Sequence, residues 1–340
     1  MENTMIEVSE KSALGREMLF DIEKSRVDEE RRLIVKEIKE NASVEGFRKG
    51  KVPESIIESK FSDVIKENLI KRIIPEIYFS AIKEKGFLPA AEPDVFGVDL
   101  DGGGLKFKVY LELKPEVTLK KYKGISVKKR TPEPVTEKHV DEVLAEWEKR
   151  PEFAATIIDP SKRKAWRDRI RQQLEDYNRM HASMEEDKQL WDELFKNADF
   201  PLPGKMVNEQ AARYAEDYFN RMDLKEKTQE EKEKIAKEIF EKVKPEAEAS
   251  VRRYFILDKV AESEKIEVGE EDLNSRITEL SRSTGDSVEQ MKEKLEKAGK
   301  MDDLKDEIRI QKAFKVLKDN IHFIQRVILP GEEKKLETLK

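Results

Sequence analysis

Gly46-Phe47-Arg48-Lys49-Gly50-Lys51-Val52-Pro53 interrupts a chain whose pattern is otherwise strongly helical, and its reading organises the rest. Glycine reaches backbone angles closed to other residues, while Pro53 fixes its own φ and removes a donor. The expected product is a sharp, exposed loop that turns Phe47, Arg48 and Lys49 outward, shaped by Gly46, Gly50 and Pro53. An exposed aromatic flanked by cations adds little to a core. It suits docking onto an anionic surface such as RNA phosphate or an acidic protein. A helix-to-helix turn with ordinary surface charge accounts for the same spacing, because basic turns are common.

Upstream of the loop, residues 5–24 read as strands. Leu14, Arg16, Met18, Phe20, Ile22 and Lys24 share one face by period two. From Arg26 to Ala42 the period changes, and Val27, Leu33, Ile34, Ile38 and Ala42 fit one side of a helix. Downstream, Pro53 opens helical segments over 54–59 and 61–85, with Val64, Ile65, Leu69, Ile73, Ile74 and Ile77 inward. Pro75 is expected to kink or break that run, and Gly86 to stop it. Residues 94–114 resemble a hairpin about the turn Asp101-Gly-Gly-Gly104, with Phe107, Val109, Leu111 and Leu113 returning on one face. The glycine triplet lacks the Gly-Lys-Ser/Thr and the following helix that a phosphate loop needs. Residues 1–115 therefore form an expected α+β domain with the loop at the tip of a helical pair.

Residues 116–135 read as a connector made basic by Lys120, Lys121, Lys123, Lys128, Lys129 and Arg130. A solvated linker and a second anionic contact both fit that pattern. From Thr136 onward almost everything is expected to be helical, in an elongated all-α domain over 136–330. Thr136 caps the first, through Lys149, with Val140, Val143, Leu144 and Trp147 on one side. Ser161 starts the second, to Asn197, whose apolar positions include Trp166, Ile170, Leu174, Tyr177, Met184, Leu190, Trp191 and Leu194. Further helices are expected over 205–222, 229–264 with a kink near Pro245, 270–283, 287–297 and 301–320. The tail 331–340 is expected to be disordered.

Composition narrows the function. Charged residues make up 41% and hydrophobic residues 37%, a balance that favours helices with much solvated surface over one thick core. The net charge of −6 argues against coating DNA, so any RNA contact must be local. The chain has no cysteine, which excludes disulfides and thiolate sites. Neither a long apolar run nor a signal-peptide pattern is present, so the expected location is the cytoplasm, off the membrane. The three histidines, His139, His181 and His322, lie in separate segments, and no metal, cofactor or nucleotide motif accompanies them. Acidic runs such as Glu270-Glu271-Asp272 read as solvated faces or helix-cap charges. Met206, Val207, Tyr214, Tyr218, Phe219 and Met222 recur at three- and four-residue spacings, and Tyr254, Phe255 and Leu257 form a second cluster. Interhelical core explains such stripes, and so does an open surface for unfolded chains, to which flexible Met and aromatic side chains are suited.

Several segments together resemble the trigger factor family of ribosome-associated chaperones. The loop 46–53 looks like that family's ribosome-docking loop. Pro75-Glu-Ile-Tyr-Phe-Ser-Ala-Ile-Lys-Glu-Lys-Gly86 and Leu105-Lys-Phe-Lys-Val-Tyr-Leu-Glu-Leu-Lys-Pro115 fit its N-terminal domain. Val243-Lys-Pro-Glu-Ala-Glu-Ala-Ser-Val-Arg-Arg-Tyr-Phe-Ile-Leu257 and Glu293-Lys-Leu-Glu-Lys-Ala-Gly-Lys-Met-Asp-Asp-Leu-Lys305 are similar to its C-terminal domain.

The resemblance implies an ATP-independent chaperone. Its N-terminal loop, through Gly46, Phe47, Arg48, Lys49, Gly50 and Pro53, would dock at exit-tunnel protein and rRNA. Its helical arms would cradle nascent or unfolded polypeptides, with Met206, Val207, Tyr214, Tyr218, Phe219, Met222, Tyr254 and Phe255 as candidate contacts. It also implies a weak homodimer away from the ribosome. The family usually carries a prolyl isomerase domain after the helix that here ends near Lys149. In this chain only residues 150–160 separate that helix from the next, too few for a domain, which needs at least about 50. No enzymatic activity is therefore expected. A helical adaptor with one dedicated protein partner is the competing reading of the same helices.

Overall fold

The computed structural model describes residues 4–100, 104–150, 160–224 and 227–324. The chain divides into two compact units, Met1–Glu116 with Phe200–Arg252, and Val117–Asp199 with Arg253–Lys340.

The first unit is built on an antiparallel sheet of order β1-β2-β4-β3, from β1 (Thr4–Glu10), β2 (Gly15–Ile22), β3 (Asp94–Asp99) and β4 (Leu105–Glu112). Period two places Met18, Phe20 and Ile22 of β2 and Phe107, Val109 and Leu111 of β4 on one face, and all six are buried. Phe20 faces Phe107 in register, and their rings stack at 4.5 Å. Between them and solvent lie α1 (Lys24–Asn41) and α3 (Ser62–Lys85), joined by the loop and the short α2 (Glu54–Lys60). Val27, Ile34, Val35, Ile65, Leu69, Ile73, Ile77 and Ala81 complete this core. Each large side chain removed from water there stabilises the fold by about 1.5–3 kcal/mol.

The expected break at Pro75 does not occur: α3 runs through it. Ile73, Ile74, Ile77 and Tyr78 bury on both sides of the proline, and this burial offsets the lost backbone hydrogen bond. Gly86 does end the helix, in the left-handed region at φ 66°. The register of β3 on β4 slips between Phe96 and Asp99, where Gly97 has φ 61°. The turn residues 101–103 lie outside the described residues.

The same unit holds α6 (Gly204–Asn220) and the first part of α7 (Gln229–Ser263). Ala211, Ile239, Val243 and Ala247 pack between them. Glu112, at the end of β4, accepts a hydrogen bond at 2.8 Å from the Lys205 N–H, one of the free donors of the first turn of α6. The Lys205 ammonium pairs with Asp94.

In the second unit α4 (Glu137–Glu148) packs against α5 (Pro160–Lys196) through Val140, Leu144 and Ile170. Trp147 meets Trp166 edge-on at 5.7 Å. Arg167 reaches Glu137 and Asp141 across the pair. Thr136 caps α4 as expected, its Oγ1 accepting from the His139 N–H at 3.4 Å. Beyond α7 come α8 (Glu270–Thr284), α9 (Val288–Lys297) and α10 (Met301–Asp319), packed through Leu273, Ile277, Met291, Leu304 and Ile308.

Two short strands depart from the sequence reading. β5 (Ser126–Lys128) lies in the stretch read as a connector, and β6 (His322–Ile324) just beyond the last expected helix, inside the span 136–330 read as an all-α domain. They pair in parallel. Each is only three residues long, so neither carries a period that a sequence pattern can reveal. Among the described residues no helix is long and apolar enough to cross a membrane.

Candidate functional site

The loop between α1 and α2 is two successive four-residue turns. The Phe47 N–H donates to the Val44 carbonyl at 3.1 Å, and the Lys51 N–H donates to the Arg48 carbonyl at 2.9 Å. The third residue of each turn is a glycine with positive φ, Gly46 at 86° and Gly50 at 79°. That position of a type II turn demands positive φ, which is why glycine recurs at an interval of four. Val44 and Val52 are buried at the two feet, and Pro53 precedes the first residue of α2. Phe47 is consequently held 40% exposed at the tip, with Arg48 and Lys49 exposed beside it. Among the described residues neither cation forms an ion pair, so both charges are free to meet an anion.

Ion pairs brace the helices beneath. Arg72 on α3 reaches Glu37 and Glu30 on α1, and Arg26 on α1 reaches Glu76 on α3 at 2.9 Å. The hydrogen bond from Arg72 holds the Glu37 carboxyl below the usual carboxylate range. Lys39 meets Glu54 at 3.1 Å, tying the end of α1 to the start of α2 on either side of the loop. Apart from Arg72–Glu30, whose carboxylate is buried, these pairs lie at the surface and fix geometry more than they add stability.

The structure separates the eight apolar candidates. Val207 and Phe255 are buried and act as packing residues in this conformation. Tyr214 and Phe219 are half-buried against Ile239 and Val243. Met206 is also half-buried. Tyr218 and Met222 are open to solvent, 56% and 43% exposed, with the Lys242 ammonium 6.0 Å from the Tyr218 ring centre. Tyr254 is half-buried, its hydroxyl donating to Asp306 at 3.0 Å. Burial above all, then the Asp306 charge, push its phenol well above the usual tyrosine range. Tyr254 and Phe255 fall in the second compact unit and the other six in the first.

A further exposed apolar row lies in the middle of α5. Tyr177, Met180 and Met184 are exposed, whereas Ile170 toward one end and Leu190 and Leu194 toward the other are buried. The signal was available as spacings of three and four, but position on a helix cannot say which stretch of a stripe finds a partner. The His181 ring meets that of Tyr177 at 4.2 Å with the planes tilted by 50°, and a cleft beside them is lined by Arg130, Pro132 and Glu133.

His139 serves the α4 cap, its Nδ1 accepting from the Thr136 N–H at 3.4 Å. Asp272, in the acidic run at 270–272, accepts from the Gly269 N–H at 2.9 Å and pairs with Lys312 at 2.6 Å. Lys312 first, and then the Gly269 N–H, lower its carboxyl pKa. Among the described residues no group of three or more His, Asp or Glu could hold a metal.

Comparison with known proteins agrees with this architecture. Residues 4–147 match the family model described as bacterial trigger factor protein, and residues 164–319 match the model of the trigger factor C-terminus. The trigger factor of Koribacter versatilis is 24% identical, over 89% of this chain and 94% of that protein. Its alignment runs over 414 residues, more than the 340 of this chain, so that relative holds sequence with no counterpart here. The trigger factor of Geotalea uraniireducens is 31% identical, but over 46% of this chain and only 35% of its own length. A solved chain, from work on promiscuous substrate recognition by the trigger factor chaperone, shares the fold with a TM-score of 0.52 and 14% identity. It aligns over 92% of this chain and 98% of its own length. With both family models matched in order and only residues 148–163 between them, this chain belongs to the bacterial trigger factor family.

Proposed function

We propose that this protein is an ATP-independent chaperone that docks at the ribosomal exit tunnel and shields apolar segments of nascent or unfolded chains in the cytoplasm. The observation that carries the reading is the double turn. It holds Phe47, Arg48 and Lys49 in the open on a braced helical pair, and among the described residues neither cation is ion-paired. Docking to exit-tunnel protein and rRNA is assigned to these three, and shaping of the loop to Gly46, Gly50 and Pro53. Client contact is assigned to the exposed side chains Tyr218 and Met222, with Met206, Tyr214, Phe219 and Tyr254 at half-buried margins. Val207 and Phe255 join only if the packing opens. By type of element, the chain is organised as 1–115 for docking, 116–135 as connector and 136–330 for clients. The compact units cut across that division at Phe200 and Arg252.

Replacing Phe47, Arg48 and Lys49 together with Ala tests the assignment. Exposed substitutions of this kind change stability by about 0.5 kcal/mol or less. The variant should keep its circular dichroism spectrum and lose most co-sedimentation with ribosomes. Wild-type binding should also weaken as salt rises. Undiminished co-sedimentation of the variant would sink the docking assignment.

A further inference from the structure

The middle of α5 carries a set of metal-ligand atoms within its exposed row. Met180, His181 and Met184 stand at positions i, i+1 and i+4, so one turn of helix brings Met184 over both of the others. The two methionines are open to solvent, 52% and 58% exposed, and His181 is exposed with them. The helix runs unbroken over Pro160–Lys196, so its backbone holds the three side chains on one side. One turn back, the Tyr177 ring meets the imidazole and limits its rotation. Among the described residues the His181 imidazole makes no hydrogen bond, whereas His139 commits its Nδ1 to the α4 cap.

As an apolar docking strip the row is short and mixed. From Tyr177 to Met184 it covers about two turns, has an imidazole in its middle, and lies beside the ion pairs Arg179–Asp176 and Arg130–Glu185. As a ligand set it is consistent. Two thioether sulfurs and an imidazole nitrogen are neutral donors that suit a soft monovalent ion such as Cu(I) and serve the hard ions of Mg and Ca poorly. The chain has no cysteine, so thioethers are its only soft donors. Three rotatable bonds let each methionine turn its sulfur toward a shared ion. The adjoining guanidiniums are already paired, so both charges are compensated. Glu133 lines the cleft beside His181, and Asn178 holds it there by donating to its backbone carbonyl at 2.8 Å. A ligating imidazole usually gives its second ring N–H to such a carboxylate.

We infer that Met180, His181 and Met184 form a site for a single soft monovalent cation of the Cu(I) type, independently of the chaperone reading above. Two sulfurs and one nitrogen from one helix hold the ion, with no change in its oxidation state. A bound ion ties Met180 to Met184 across one turn and withdraws both side chains from the exposed apolar row.

The test titrates Ag(I), a redox-inert analogue of Cu(I), into the full chain in chloride-free buffer, followed by calorimetry and by the NMR signals of isotope-labelled methionine methyl groups. One ion per chain should bind. The Met180 and Met184 signals, identified by their loss in the leucine variants, should shift together up to one equivalent. Met5 and Met222 are exposed but stand outside the set, and should not move over that range. Met180→Leu, Met184→Leu and His181→Gln should each weaken binding at least about tenfold, and the two leucine changes together should abolish it. Leucine conserves volume and helix preference at these exposed positions, so the circular dichroism spectrum should not change. Cu(I) kept reduced by ascorbate should displace the silver from the same methyl groups, and Zn(II), which takes thiolate, imidazole and carboxylate, should move neither. Wild-type affinity in the double leucine variant overturns the site, as do shifts at Met5 and Met222 as early as at Met180 and Met184. Failure of Met180 and Met184 to shift at about tenfold excess of silver overturns it without recourse to any variant. Binding that strengthens with protein concentration also overturns it, because donors of two copies then share the ion. Failure to suppress aggregation of unfolded proteins would overturn the chaperone reading and leave this site standing.

Discussion

Single residues shape the exposed loop at 46–53 and contribute an alkaline sensitivity. Gly46 and Gly50 have positive φ and nothing within 4 Å of where a Cβ would stand, so their requirement is conformational and not steric. Between them the chain has no freedom to bury Phe47, because Val44 and Val52 are already fixed in the core. Tyr254 shows how burial becomes pH dependence. Its folded pKa is raised above the unfolded value of about 10. Its contribution is therefore complete below about pH 10 and is lost as the solution becomes more alkaline, when the unfolded chain ionises and the folded one resists. Stability measured in urea should fall between about pH 10 and pH 12. Tyr254→Phe should flatten part of that fall, while losing about 1 kcal/mol at neutral pH with the hydrogen bond to Asp306. Parallel declines for the two proteins would show that Tyr254 is not responsible.

At the scale of elements, α3 sets tertiary packing against local preference. Pro75 costs a helix interior about 3 kcal/mol relative to alanine, yet the helix is continuous because isoleucines on both sides of it enter one core. The proline itself is exposed, so its removal disturbs no buried contact. Pro75→Ala should therefore stabilise the protein by about 1–2 kcal/mol, less than the full helix penalty because the unfolded chain also gains freedom. A rise in the urea midpoint checks this, and a fall would mean that the proline sets a bend the sheet requires. The α4–α5 pair shows the opposite case, in which every local signal agrees: Thr136 caps, Val140 and Leu144 face inward, and the ion pairs lie outside.

Across the whole molecule, the informative feature is how little chain lies between the two family matches. Residues 148–163 cannot hold a domain of about 50 residues or more. A prolyl isomerase inserted there, as is usual in the family, has no room. We predict no acceleration of the slow, proline-limited phase of refolding, which normally takes tens to hundreds of seconds. Catalytic amounts of this protein speeding that phase would contradict the prediction. Chaperone action should persist, seen as suppressed aggregation of several unrelated unfolded proteins; a dedicated adaptor should protect none of them. The exposed Tyr177, Met180, Met184, Tyr218 and Met222 also favour self-association when no client is present. A weak, reversible homodimer should form at about micromolar concentration, and sedimentation that shows only monomer over a wide concentration range would exclude it.

Period and punctuation alone determined the exposed loop at 46–53, the inward faces of β2 and β4, the cap of α4 and most helix ends. Each of these is a preference of neighbouring residues: glycine for positive φ, threonine for an N-cap, alternation for a half-buried strand. Order along the chain likewise placed an α+β domain before a helical one. Only the tertiary structure decided which members of an apolar stripe stay open. On α5, Ile170 and Leu190 found partners and Tyr177 and Met184 did not, though all share helical spacing; Val207 and Phe255 went into cores that local pattern could not see. It also decided that α3 survives Pro75 and that Ser126–Lys128 pairs with His322–Ile324. Those outcomes depend on contacts between segments far apart in sequence, where burial and completed backbone hydrogen bonds outweigh local preference, and no reading of adjacent residues contains them.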